Sequence, residues 1–150
     1  MRHALAPALA LALLATPLVA AADPPAITDV TVRAISHVDG KIYDLDKLPQ
    51  DDNASYEYGG DMDLVVGVAL SGESTKPAAL TLEIKTPGFD SEATGKVKAS
   101  KAKLSKKNVT SSAEKRWEFF LVDRPCDKAT FTAKYGKSTK TTSVDLFCAE

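Results

Sequence analysis

Histidine, cysteine and tryptophan are scarce in this 150-residue chain: two, two and one. His3 belongs to the leader described below, which leaves His37 as the one imidazole of the remaining chain. It stands beside Val38-Asp39, and no spacing pairs it with a particular serine or cysteine, so a hydrolytic triad has no base. Two cysteines and one histidine do not complete a tetrahedral zinc site, and their wide separation is not that of Cys-x-x-Cys redox chemistry. A glycine-rich phosphate loop, a metalloprotease helix and a nucleotide fingerprint are also missing. Charge of one sign is lacking overall, with 19 basic and 20 acidic residues and a net charge of -1, so nothing global points to nucleic acid or to a membrane surface. Helical periodicity is poor. The one candidate, SEATGKVKASKAKLSKK, has no apolar stripe beyond Val97 and Leu104 and reads as one or two short edge strands with loops.

What is present begins at the N-terminus. Arg2 and His3 precede an apolar stretch centred on Leu9–Leu14, followed by Ala20 and Ala22 at small-x-small positions. This is the pattern of a secretory signal peptide over residues 1–22, with cleavage after Ala21 as the neighbouring option. Pro7 and Pro17 interrupt the apolar stretch, which is shorter than the ~20 residues a membrane span needs. The expectation is an exported chain, periplasmic or secreted, with residues 23–150 as a single domain.

The remaining chain alternates with period 2, the mark of strands with one buried and one wetted face. Met62, Leu64, Val66, Val68 and Leu70 fall on one face, as do Leu80, Leu82 and Ile84, and Val30, Val32 and Ala34. In KRWEFFLVD both faces are apolar, with Trp117, Phe119 and Leu121 on one and Phe120 and Val122 on the other; Trp117 is expected as a core anchor. Turn residues punctuate these runs at 72–77, 87–88, 124–125 and 136–139. The fold class predicted is all-β: a two-sheet antiparallel sandwich of about seven to eight strands. In strand pattern alone the chain resembles the broad immunoglobulin-like or fibronectin-like class. The Cys…Trp…Cys order of antibody domains is absent, because Trp117 precedes both cysteines.

Cys126 and Cys148 flank the last two strands. In an oxidising compartment two lone cysteines are most often bridged. A hairpin turning about Lys137-Ser138 sets Phe131 across from Val144 and Ala129 from Leu146, and brings the cysteines about one diagonal step apart, within reach of a disulfide. The bridge closes a loop of about 20 residues, worth roughly 3 kcal/mol in the chain-entropy model.

Two charged segments carry the remaining candidates. Residues 39–63 are acidic and hold Tyr43, Tyr56 and Tyr58, the residue type with which loops on rigid sandwiches grip partners. Asp44, Asp46, Asp61 and Asp63 form two Asp-x-Asp pairs, the weak calcium candidates, without EF-hand spacing; no other cofactor is indicated. Residues 96–116 are basic, and Lys98, Lys101 and Lys103 are candidate contacts for an anionic partner. Aromatics are not interleaved with these lysines, so nucleic acid is not expected. The function expected is that of an exported, non-enzymatic binding domain for a protein or an extracellular glycan, with an inhibitor or immunity-type protein as its concrete form. The alternatives are an envelope or extracellular accessory domain assembling through edge strands, and a hydrolase built on the carboxylates of residues 39–63.

Overall fold

A computed structural model describes residues 23–37, 40–45, 62–74, 76–91, 95–123 and 127–146. The signal-peptide expectation, Asp46, Tyr56, Tyr58, Asp61, Cys126 and Cys148 lie outside these residues. Ten strands are described: β1 (Ala26–Ser36), β2 (Ile42–Asp44), β3 (Met62–Ser71), β4 (Ala78–Thr86), β5 (Phe89–Ser91), β6 (Gly95–Val97), β7 (Ser100–Val109), β8 (Arg116–Asp123), β9 (Asp127–Tyr135) and β10 (Ser138–Leu146). They form two four-stranded antiparallel sheets, ordered β2-β1-β3-β8 and β10-β9-β4-β7, and a small β5-β6 hairpin. Among the described residues no helix is long and apolar enough to cross a membrane. Residues 95–109, with their helix-forming composition, are the edge strands the missing apolar stripe predicts; β7 closes one side of its sheet. The short strands β2 and β5 were not legible as strands, and with them the number rises above the seven or eight expected.

The two sheets share a core of the kind the alternation predicts. Leu64, Val66, Val68 and Leu70 of β3 meet Leu80 and Leu82 of β4 and Phe131 and Tyr135 of β9, all fully or almost fully buried. Val30 and Ala34 of β1 join them, and Val32 packs against the same cluster. Ile27 is also buried, although it has the opposite parity to Val30. A bulge explains this: Ile27 opposes Leu70 and Asp29 opposes Ala69, so Thr28 is the extra residue that shifts the pleat. A second bulge interrupts β7, where Ala78 opposes Val109 and Leu80 opposes Lys106. Asn108, at φ 57, takes the left-handed conformation that asparagine tolerates better than most residues. The bulge turns Val109 into the core and aims its carbonyl at the buried Tyr135 hydroxyl, which donates to it at 3.0 Å.

Two expectations are corrected. Trp117 is not a core anchor. The β3–β8 ladder sets Phe120 opposite Val66 and Val122 opposite Leu64, so those side chains share the buried face of β3. Phe120 and Val122 are buried, whereas Phe119 and Leu121 are 55% and 62% exposed and Trp117 is half-buried on the outer face. The hairpin register is shifted by two. Gly136 and Lys137 form a two-residue turn, with Tyr135 opposite Ser138, Phe131 opposite Thr142 and Ala129 opposite Val144. Gly136 has φ +57 at the first turn position, where type II′ turns favour glycine. A shift of two preserves which side chains point inward, so Ala129, Phe131 and Leu146 are still buried.

Candidate binding surface

The outer face of the β2-β1-β3-β8 sheet is built in rows by its register. Asp29, Ala69 and Trp117 form one row, Thr31, Gly67 and Phe119 the next, and Arg33, Val65 and Leu121 a third. Small residues on β3 thus lie beside the large rings of β8. A Cβ placed on Gly67 would stand 2.8 Å from Thr31 Oγ1 and 3.2 Å from a ring carbon of both Trp117 and Phe119. Glycine at this position lets these groups close in over the strand, and Gly67 lines a hollow beside them. Its volume is about 350 Å³, and Asp29, Thr31, Arg33, Ile42, Val65, Trp117 and Phe119 surround it. Trp117 and Phe119 lie nearly parallel, 14° apart with centroids at 6.3 Å, and the Lys115 ammonium sits 4.7 Å from the Trp117 ring centroid. Ile42, 54% exposed, carries the apolar surface onto β2.

Charge frames this apolar strip. Arg33 Nε meets Asp44 at 3.0 Å across the β1–β2 pair. His37 Nε2 lies 2.9 Å from Asp63 Oδ2. Asp63 is directly opposite Asp123 in the β3–β8 ladder, a like-charge pairing that disfavours the sheet locally.

Beneath the strip the two sheets are latched at their margin. Glu118 points to the same side as Phe120, and its side chain is 12% exposed. It receives Lys106 of β7 at 2.9 Å and Arg116 at 2.8 Å. Burial pushes the Glu118 carboxyl up, but the Lys106 hydrogen bond and the two neighbouring cations outweigh it and hold the group below its ordinary value. The Lys106 ammonium also stands 5.5 Å from the Phe120 ring centroid.

The opposite outer face, on β10-β9-β4-β7, is hydroxyl- and lysine-rich. Thr130 and Thr132 hydrogen-bond Ser143 and Thr141, each at 3.1 Å. Glu83 bridges Lys101 at 3.1 Å and Lys85 at 3.3 Å, and those hydrogen bonds, Lys101 foremost, lower its carboxyl pKa. An open groove of about 530 Å³ runs past Lys85, Ser100, Lys101, Lys128 and Thr130.

The structure separates those candidates from the sequence that it describes. Tyr43 is half-buried against the core rather than presented on a loop. Lys101 and Lys103 are exposed on β7, with Lys103 also opposite Glu83 in the ladder; exposed Lys98 precedes the strand. Asp44 and Asp63 are occupied by Arg33 and His37, and the described residues hold no group of three or more potential metal ligands. The outer-face hollow was missed. Its signal was the glycine in the middle of β3, since an interior strand glycine marks a close approach. No family model, no curated protein and no solved structure matches the chain.

Proposed function

We propose that the chain is an exported, non-enzymatic binding domain of immunoglobulin-like topology that engages a protein partner through the outer face of the β2-β1-β3-β8 sheet. The topology reading rests on strand order. With β1, β3, β4, β8, β9 and β10 as strands A, B, C, E, F and G, the sheets read A-B-E and G-F-C, the immunoglobulin partition, and β7 adds beside C. Export rests on the leader at residues 1–22.

The observation that carries the binding reading is the exposed strip of Phe119, Leu121 and Ile42, continued by half-buried Trp117, around the Gly67 hollow. Contiguous exposed apolar surface with a polar rim marks an interaction site. Trp, Phe and Arg are the residue types that interfaces enrich, and a hollow beside them accepts an anchoring side chain. Arg33 and Asp29 at the rim supply charge for orientation. The test is capture of a stoichiometric partner from envelope and culture fluid by the mature protein. Gly67→Val fills the hollow and Leu121→Asp charges the strip; each should lower capture at least tenfold, while Thr132→Ala on the opposite face leaves it unchanged. Equal capture by all four proteins would overturn the reading.

A further inference from the structure

We infer that two copies of this chain join edge to edge through β8, antiparallel about a two-fold axis at Phe119. Among the described residues, each of the four margins of the two main sheets is handled differently. β2 is three residues long. β7 carries Lys101, Lys103, Lys106 and Lys107 and is broken by the Asn108 bulge. β10 is capped by β1: Ser138 Oγ accepts from Ile27 N at 2.9 Å, and Lys140 Nζ donates to the Thr28 carbonyl at 2.5 Å. Short length, lysines, bulges and covering contacts are the means by which sheets avoid joining. β8 runs eight residues with an unbroken register against β3, holds no proline, and shows tryptophan, phenylalanine and leucine on its outer face. Its inward side retains one such device, the charged Glu118, and that carboxylate is already satisfied by Lys106 and Arg116.

The sequence of β8 is complementary to itself read backwards. Opposed residues of an antiparallel pair lie on the same face, so an axis through Phe119 sets Phe119 against its own copy, Trp117 against Leu121 and Lys115 against Asp123. Aromatic and aliphatic groups then meet across the seam, and a salt bridge forms at each end. That salt bridge answers the like-charge pairing of Asp63 and Asp123, because a cation from the second copy arrives beside Asp123. Moving the axis by one residue in either direction sets Lys115 against Leu121 or against residue 125, and Asp123 no longer meets a cation. The product is a continuous eight-stranded sheet with two Gly67 hollows on one face. The inference shares the outer face with the proposed binding function but does not need a partner, so either can fail alone.

Sedimentation of the purified mature protein over a rising concentration series should show a monomer–dimer equilibrium that stops at two. Lys115→Glu reverses both end pairs and should weaken self-association about tenfold. The exchange Lys115→Asp with Asp123→Lys should restore it to within about threefold of the original. Phe119→Cys should give a covalent dimer on mild oxidation, joined through the two introduced thiols by mass spectrometry, whereas Thr132→Cys should not. A monomer at every concentration, or a Phe119→Cys variant that does not crosslink above the Thr132→Cys control, overturns the inference. Dimers unaffected by the Lys115→Glu change would place the contact elsewhere and overturn it as well.

Discussion

Glu118 shows how one side chain serves two sheets. It lies on the buried side of β8, yet it is a carboxylate, and it is tolerated because Lys106 crosses from β7 to meet it and Arg116 closes the other oxygen. The pair keeps its carboxyl pKa below the ordinary 4.5. A group whose folded pKa is depressed contributes stability that is present above its unfolded pKa and is lost as pH falls through the folded one. Glu118→Gln should therefore lower the unfolding free energy by about 1 kcal/mol near pH 7, and the gap to the original protein should close at an acid pH below the depressed folded pKa. Urea denaturation at the two pH values checks both parts. A gap that persists in acid would mean that packing, not charge, is what the substitution removes. Glu118 also misleads a reader of the sequence. It makes the Phe120 side of β8 look the more polar one, so the Trp117 side looks like the core.

At the level of elements, legibility follows from how many sources fix each face. In β3 and β4 one face is apolar and the other polar or small, so the alternation assigned Met62–Leu70 and Leu80–Ile84 correctly. In β8 both faces are apolar, and the decision passes to the register with β3, which pairs Phe120 with Val66. Register depends on contacts between strands distant in sequence, and period 2 within one strand holds no record of it. The Gly67 hollow was hidden for the same reason: it exists because β1 and β8 bring Thr31 and Phe119 to either side of one glycine. The β7 bulge was equally silent, since nothing around Asn108 breaks the run of lysines and serines in a distinctive way. Its left-handed backbone makes a local prediction. Asn108→Gly should keep or raise stability by up to about 1 kcal/mol, and Asn108→Val should cost roughly 1–2 kcal/mol, because a β-branched residue resists positive φ. Thermal unfolding of the two variants compares them directly. If valine were neutral, Val109 and Tyr135 would not depend on the bulge in the way the hydrogen bond implies.

For the molecule as a whole, the open question from the sequence is the staple. The described ladder ends with Leu146 opposite Asp127, one residue from Cys126 and two from Cys148. In sequence, both cysteines lie just beyond that end of the ladder. We propose that Cys126 and Cys148 are bridged there. Thiol titration of the unfolded, unreduced mature protein should find no free thiol, and reduction should lower the unfolding free energy by roughly 3 kcal/mol. Two free thiols would exclude the bridge.

The treatment of the sheet margins has a consequence for growth. Among the described residues β2 is too short, β7 broken and charged, and β10 capped, so the proposed pairing through β8 gives the sandwich a valence of one. A unit with two open margins polymerises without limit. A unit with one is consumed by its first union, and each pair formed is a terminated chain. The capping of β10 by β1, through Ser138 and Lys140, is what keeps the number at one, so loosening β1 from β10 would convert a self-limiting particle into a monomer for fibres.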